Sequence, residues 1–155
     1  ALEIGSDVPF FLSDYRAAFA EGRGERLSQV PGLDPSIWVV VVWSGIPIST
    51  SWAYNLADKY LTFSEKRISI TVPELRAWGK TALMSIKDND FEHPIFTEYP
   101  ELASVCNMLR ESGSIGAGLS GSGSALFGLF GEEATAKNVI EKLPKGWIGY
   151  LCHPC

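Results

Sequence analysis

Chemistry in this sequence is concentrated in a few short stretches. Asp7 sits in Gly5-Ser6-Asp7-Val8-Pro9-Phe10-Phe11, a lone carboxylate between a flexible Gly-Ser pair and a proline suited to a first helical turn. Such an aspartate can act as a base or can cap a turn or helix, and its surroundings alone favour capping. Farther on, Gly116-Ala117-Gly118-Leu119-Ser120-Gly121 satisfies the spacing G-x-G-x-x-G. That spacing signals dinucleotide binding only after a strand and before a helix, and the flanking residues here predict a helix before it and a strand after it. A Walker loop is excluded as well, because no Lys-Ser or Lys-Thr pair follows the glycines. What remains is Leu119-Ser120-Gly121-Ser122-Gly123-Ser124, whose small side chains leave backbone N–H groups open to an approaching anion. Phosphate contact and a tight helix-to-strand connection both fit that composition.

Cys152-His153-Pro154-Cys155 has the spacing of a redox pair or a zinc half-site. It closes the chain instead of opening a helix, and only Cys106 and His93 are left as further ligands, so neither role is expected.

These residues need elements to hold them. Tyr15–Ala20 and Glu25–Val30 flank Glu-Gly-Arg-Gly and read as a hairpin. Ile37–Trp43, the unbroken run IWVVVVW, reads as a central strand covered on both faces. Ser49-Thr50-Ser51 offers N-cap side chains to a short helix over about 51–59. Pro73 starts a second helix with Leu75, Trp78, Ala82, Leu83 and Ile86 on one stripe. Pro100 starts a third, carrying Leu102, Val105, Cys106 and Leu109 on one face and stopping near Gly113; Cys106 is then a buried thiol. Ser124–Phe130 reads as a strand, Glu132–Leu143 as a helix and Trp147–Cys152 as a closing strand. The order predicts an α+β sandwich with helices on one face of a small sheet, leaving the early hairpin unattached.

The chain has 155 residues, 46% of them hydrophobic, enough for one real core. A formal net charge of -5 with 13 scattered Lys and Arg excludes a nucleic-acid partner. No apolar run has the roughly 20 residues that span a bilayer, so no membrane partner is expected and the cytoplasm is the expected location, or a plastid in a plant or alga. The start without Met, on an apolar segment, is what a piece of a longer chain would show.

Taken together, the Gly5–Phe11 segment, the Gly22-Arg23-Gly24-Glu25 turn, Ser49-Thr50-Ser51-Trp52-Ala53-Tyr54, Asn89-Asp90-Phe91-Glu92 and the loop Leu119–Ser124 resemble the GHMP kinase superfamily of galactokinase, homoserine kinase, mevalonate kinase and phosphomevalonate kinase. The likeness runs along nearly the whole chain and is strongest to the branch that phosphorylates a cytidine-linked methylerythritol in non-mevalonate isoprenoid synthesis. It reaches only the family's second half. The first-half lysine and the glycine-rich loop that holds most of the ATP have no counterpart here.

The resemblance implies a ferredoxin-like C-terminal domain over 35–155 and a remnant of the N-terminal domain over 1–34. It implies that the whole kinase moves the ATP γ-phosphate to the 2-hydroxyl of its substrate with Mg2+, that the missing N-terminal half is a partner, and that this fragment alone holds no cofactor tightly and is inactive. Asp7 falls at the family's catalytic aspartate, which accepts the proton of the attacking hydroxyl. Thr50 and Tyr54 fall at a substrate-binding hydroxyl and a ring stacking on cytosine; an N-cap threonine and a half-buried tyrosine remain the plainer uses. Ser120, Gly121, Ser122 and Gly123 fall in the family's third motif and are expected to support the phosphate site. Asn89–Glu92 is expected to be a capped helix junction, His93 a surface residue, and no metal-binding residue is expected. Another GHMP kinase, of the homoserine or mevalonate type, and a stand-alone ferredoxin-like binding module are the competing readings.

Overall fold

The computed structural model describes residues 3–60 and 89–154. The helix expected from Pro73 to Ile86 lies outside them. The expected hairpin is present as β1 (Ala18–Glu21) and β2 (Arg26–Gln29), paired antiparallel as a two-stranded sheet of its own. A four-stranded antiparallel sheet, in the order β4-β5-β3-β6, is built from β3 (Trp38–Trp43), β4 (Gly116–Leu119), β5 (Leu126–Phe130) and β6 (Ile148–Cys152). The described helices are α1 (Val8–Phe11), α2 (Thr50–Tyr60), α3 (Glu92–Glu98), α4 (Pro100–Glu111) and α5 (Glu133–Glu141).

The β-branched run of β3 lies between β5 and β6, as its composition predicts. Period-two alternation turns Val40 and Val42 to one face, where Val42 stands opposite Leu126 of β5. Leu102, Val105 and Leu109 of α4 and Ala136 and Val139 of α5 pack onto this same face. The other face is not sealed, in contrast to the expected cover on both sides: Val39 and Val41 are half-buried and Trp43 is 49% exposed. An antiparallel sheet with helices on one side needs only one apolar face, so a run of valines overstates the burial.

Pro100 opens α4 as expected, and Tyr99 before it, at φ -127° and ψ 76°, lies outside the helical region that a following proline disfavours. Cys106 is fully buried on the apolar face of α4. Burial pushes its thiol up to about 11, with Glu92 adding to the rise and Arg110 opposing it. The unfolded thiol ionises near 9.0, so the neutral buried form contributes its full stability below that pH and loses it as pH climbs toward 11. Urea melts between pH 8 and 11 should therefore show a steeper alkaline loss for the native chain than for a Cys106→Val variant.

One expected loop is a strand. Gly116–Leu119 forms β4 in register with Leu126–Leu129, and only the residues after it form the turn into β5, which begins at Leu126 and not at Ser124. A strand therefore precedes the serines and a strand follows them, which leaves the dinucleotide spacing without its helix.

Candidate functional site

Asp7 occupies the N-cap position of α1, yet its side chain makes no capping hydrogen bond. Its carbonyl accepts the N–H groups of Phe10 and Phe11 at 3.1 and 3.3 Å, so the backbone alone closes this turn and the carboxylate stays exposed. The Gly22–Glu25 turn of the hairpin nests against the same segment. Glu25 accepts the Arg23 N–H at 2.7 Å, and the backbone N–H groups of Glu25 and Arg23 hold its carboxyl below the usual carboxylate range. A Cβ on Gly24 would collide with the Ser6 carbonyl oxygen, so a side chain there would push the turn off the Asp7 segment.

Across from Asp7 stands α2. Ser49 caps it, accepting the Trp52 N–H through its hydroxyl at 3.5 Å and the Ala53 N–H through its carbonyl at 2.9 Å. Thr50, freed from that duty, is the first helical residue and shares a hydrogen bond with Ser122, Oγ1 to Oγ 3.2 Å. Tyr54 lies one turn further along the same helix face. Its ring is 58% exposed and meets Phe91 edge-on, centroids 4.9 Å apart at 88°. Tyr54 and Asp7 line one cavity of about 420 Å³ together with Phe10, Leu27 and Arg23. Among the described residues Arg23 is the only cation in that lining.

The loop between β4 and β5 is stitched from several directions. Ser120 donates its N–H to the Ala125 carbonyl at 2.9 Å and accepts that of Gly123 at 3.0 Å. Gly121 and Gly123 have φ of 55° and 83°, left-handed backbone that explains the alternating glycines. Ser124 is buried; its hydroxyl donates to the Ile46 carbonyl at 2.5 Å and accepts that of Ser44 at 2.9 Å, pinning the loop to the end of β3. Neither Gly121 nor Ser122 spends its backbone N–H on another described residue. Such groups suit an anion.

The structure thus brings Asp7 and Tyr54 to one cavity and Thr50 and Ser122 into contact, with α2 as the bridge between the pairs. Sequence reasoning gave Arg23, Phe91 and Arg110 no role of their own, although the first two fall in stretches that carry the resemblance. Arg23 could have been found from its place between two glycines of a turn; the other two act through contacts distant in sequence. Cys152 ends β6 exposed and Cys155 lies outside the described residues. Among the described residues no three His, Cys, Asp or Glu side chains converge on a metal position. No described helix is long and apolar enough to cross a membrane.

A second cavity, about 600 Å³, opens on the other side of Asp7 between α1 and the hairpin, lined by Phe10, Phe11, Ala18, Leu27 and Leu33 among others. Beside it Ile4, Phe11 and Leu12 are 82%, 78% and 73% exposed.

Residues 65–149 match the sequence profile described as GHMP kinases C terminal. A 4-diphosphocytidyl-2-C-methyl-D-erythritol kinase of Chlorobium chlorochromatii is 38% identical over 144 residues, covering 93% of this chain and 50% of that kinase. The chain spans about half the length of the curated relatives it matches. A crystal structure of 4-(cytidine 5'-diphospho)-2C-methyl-D-erythritol kinase superposes with a TM-score of 0.70 at 29% identity, over 97% of this chain and 53% of that one. A homoserine kinase from Cytophaga hutchinsonii, at 17% identity and a TM-score of 0.62 over 83% of this chain and 45% of its own, shares the fold.

Proposed function

Because this chain belongs to the GHMP kinase family and carries its C-terminal domain, we propose that it is the second half of a kinase that transfers the γ-phosphate of ATP to the 2-hydroxyl of 4-diphosphocytidyl-2-C-methyl-D-erythritol, in the cytoplasm. The observation that carries the reading is the shared cavity of Asp7 and Tyr54: an unspent carboxylate and an exposed aromatic ring line the same space. In this reading residues 1–34 complete an N-terminal domain and 35–155 form the C-terminal one. The bare apolar surface of Ile4, Phe11 and Leu12 supports a missing partner half over a stand-alone module.

Each residue has a physical task. Tyr54 stacks on the cytosine, and Thr50 offers its hydroxyl to the substrate from the same helix face. Arg23 faces the diphosphate across the cavity. Asp7 accepts the proton of the 2-hydroxyl as its oxygen bonds to the γ-phosphorus and the bond to ADP breaks. Phosphoryl transfer is loose, so the proton leaves late and an ordinary exposed carboxylate suffices. Ser120, Gly121, Ser122 and Gly123 support the phosphate side. Mg2+ travels with ATP in this chemistry, but the described residues offer it no ligand set, so no step here runs through it.

A kinase for a small acyclic substrate has no use for an exposed ring at Tyr54. Stacking of a base is worth about 1–3 kcal/mol, so Tyr54→Leu in the full-length kinase should raise KM for the cytidine-linked substrate by about 5- to 150-fold and leave KM for ATP in place. Steady-state kinetics with both substrates checks this, and an unchanged KM for the cytidine-linked substrate would reject the base-stacking role.

A further inference from the structure

The four residues Asn89–Glu92 reach both ends of the site. The Asn89 amide donates to the Leu119 carbonyl at 2.9 Å and to the Gly121 carbonyl at 2.8 Å, while its oxygen accepts the Phe91 N–H at 3.0 Å. Glu92 accepts the Leu119 N–H at 3.2 Å and forms an ion pair with Arg110, which itself donates to the Ala117 carbonyl at 3.3 Å through Nε. The carboxylate lies flush on the strand, since a Cβ on Gly118 would come within 3.1 Å of it. Between these two polar residues Phe91 presses its ring on Tyr54.

We propose that Asn89–Glu92 is the positioning element of this site, fixing the loop Ser120–Gly123 and the Tyr54 ring relative to each other. The inference rests on the functional reading above. Its physical core is the planar peptide: the Gly121 carbonyl and the Ser122 N–H lie on opposite sides of one trans unit. Holding that carbonyl toward Asn89 turns the Ser122 N–H the other way. A glycine-serine loop has many conformations to lose, and a side-chain amide with donors to spare removes that freedom without a strand. Phe91 does the same for Tyr54, because an edge-to-face contact fixes ring orientation as well as position. Asn89 and Phe91 contact no reacting atom in this account.

Asn89→Asp is the informative change, since it keeps the acceptor for Phe91 and sets a carboxylate against two carbonyls. In the full-length kinase it should lower kcat/KM for ATP by about 10- to 100-fold, the scale of a sub-ångström misplacement, with KM for the cytidine-linked substrate nearly unmoved. Phe91→Leu should do the reverse, raising KM for the cytidine-linked substrate about two- to tenfold with ATP kinetics kept, and Phe91→Tyr should restore it. Equal losses for both substrates in both variants, tracking a fall in melting temperature, would overturn the proposal as mere destabilisation.

Hydrogen exchange of the 155-residue chain supplies a readout independent of turnover. Asn89→Asp should speed exchange at the Ser120 and Gly123 amides, which are hydrogen-bonded within the loop, and leave β3 and α4 unchanged; unaltered exchange at both overturns the clamp. A wild-type kinase that fails to phosphorylate the cytidine-linked substrate sinks the functional reading alone, because the exchange comparison still decides whether Asn89 holds the loop.

Discussion

Asp7→Asn in the full-length kinase is expected to lower kcat by about 10²- to 10⁴-fold, the contribution of a positioned general base, while KM for the cytidine-linked substrate stays near its wild-type value. The substitution is clean for a structural reason. The turn before α1 is closed by the Asp7 carbonyl, and the side chain caps nothing, so exchanging one carboxylate oxygen for an amide leaves the local hydrogen bonds intact. The residue is also exposed, so no burial is disturbed. A quench-flow measurement at saturating ATP would separate the chemical step from product release. Loss of turnover with unaltered substrate binding supports Asp7 as the proton acceptor, and wild-type turnover removes it from the chemistry.

The second large effect concerns stability. Phe130, at the end of β5, is fully buried and is the largest such side chain among the described residues. It stands opposite Trp38 in the ladder, and its ring reaches back over Gly128, where a Cβ would come within 2.9 Å of it. Strands on one side and α4 on the other leave little room for collapse into the space a smaller residue would vacate. Phe130→Ala should therefore cost about 3–5 kcal/mol, a large share of the roughly 5–15 kcal/mol that holds a domain together. Urea titration of the chain would show it as a lower midpoint at an unchanged slope. Phe11→Ala, at a side chain 78% exposed, should change the midpoint little by comparison.

Much of this architecture is legible in the sequence because its elements announce themselves locally. Pro100 followed by Leu102, Val105, Cys106 and Leu109 states both the start of α4 and its buried face. The stripe through Ala136 and Val139 does likewise, and the valines of β3 announce a strand, though not which of its faces is buried. What stayed hidden is held by partners far along the chain. Gly116-Ala117-Gly118-Leu119 has little intrinsic preference for a strand and becomes one because β5 pairs with it and because Glu92 and Arg110 satisfy its outer side. Pro94 sits inside α3, where a proline reads as a break; it is tolerated near the start because the first helical N–H groups have no partner to lose. At the site, Asp7, Thr50 and Tyr54 stand out as residue types, but composition could not separate a capping aspartate from a free one. Only the absence of a capping bond and the cavity shared with Tyr54 make that distinction.

The outer side of β4 carries one more consequence, for self-association. Among the described residues β4 is the last strand on its side of the sheet, and an edge of that kind normally offers a row of free backbone groups to any extended segment nearby. Here the Ala117 carbonyl and both polar groups of Leu119 are already engaged, by Arg110, Glu92 and Asn89. An incoming strand would have to displace an ion pair and an amide to dock. Three side chains close this border among the described residues, and the same contacts that order the loop protect it against edge-to-edge aggregation.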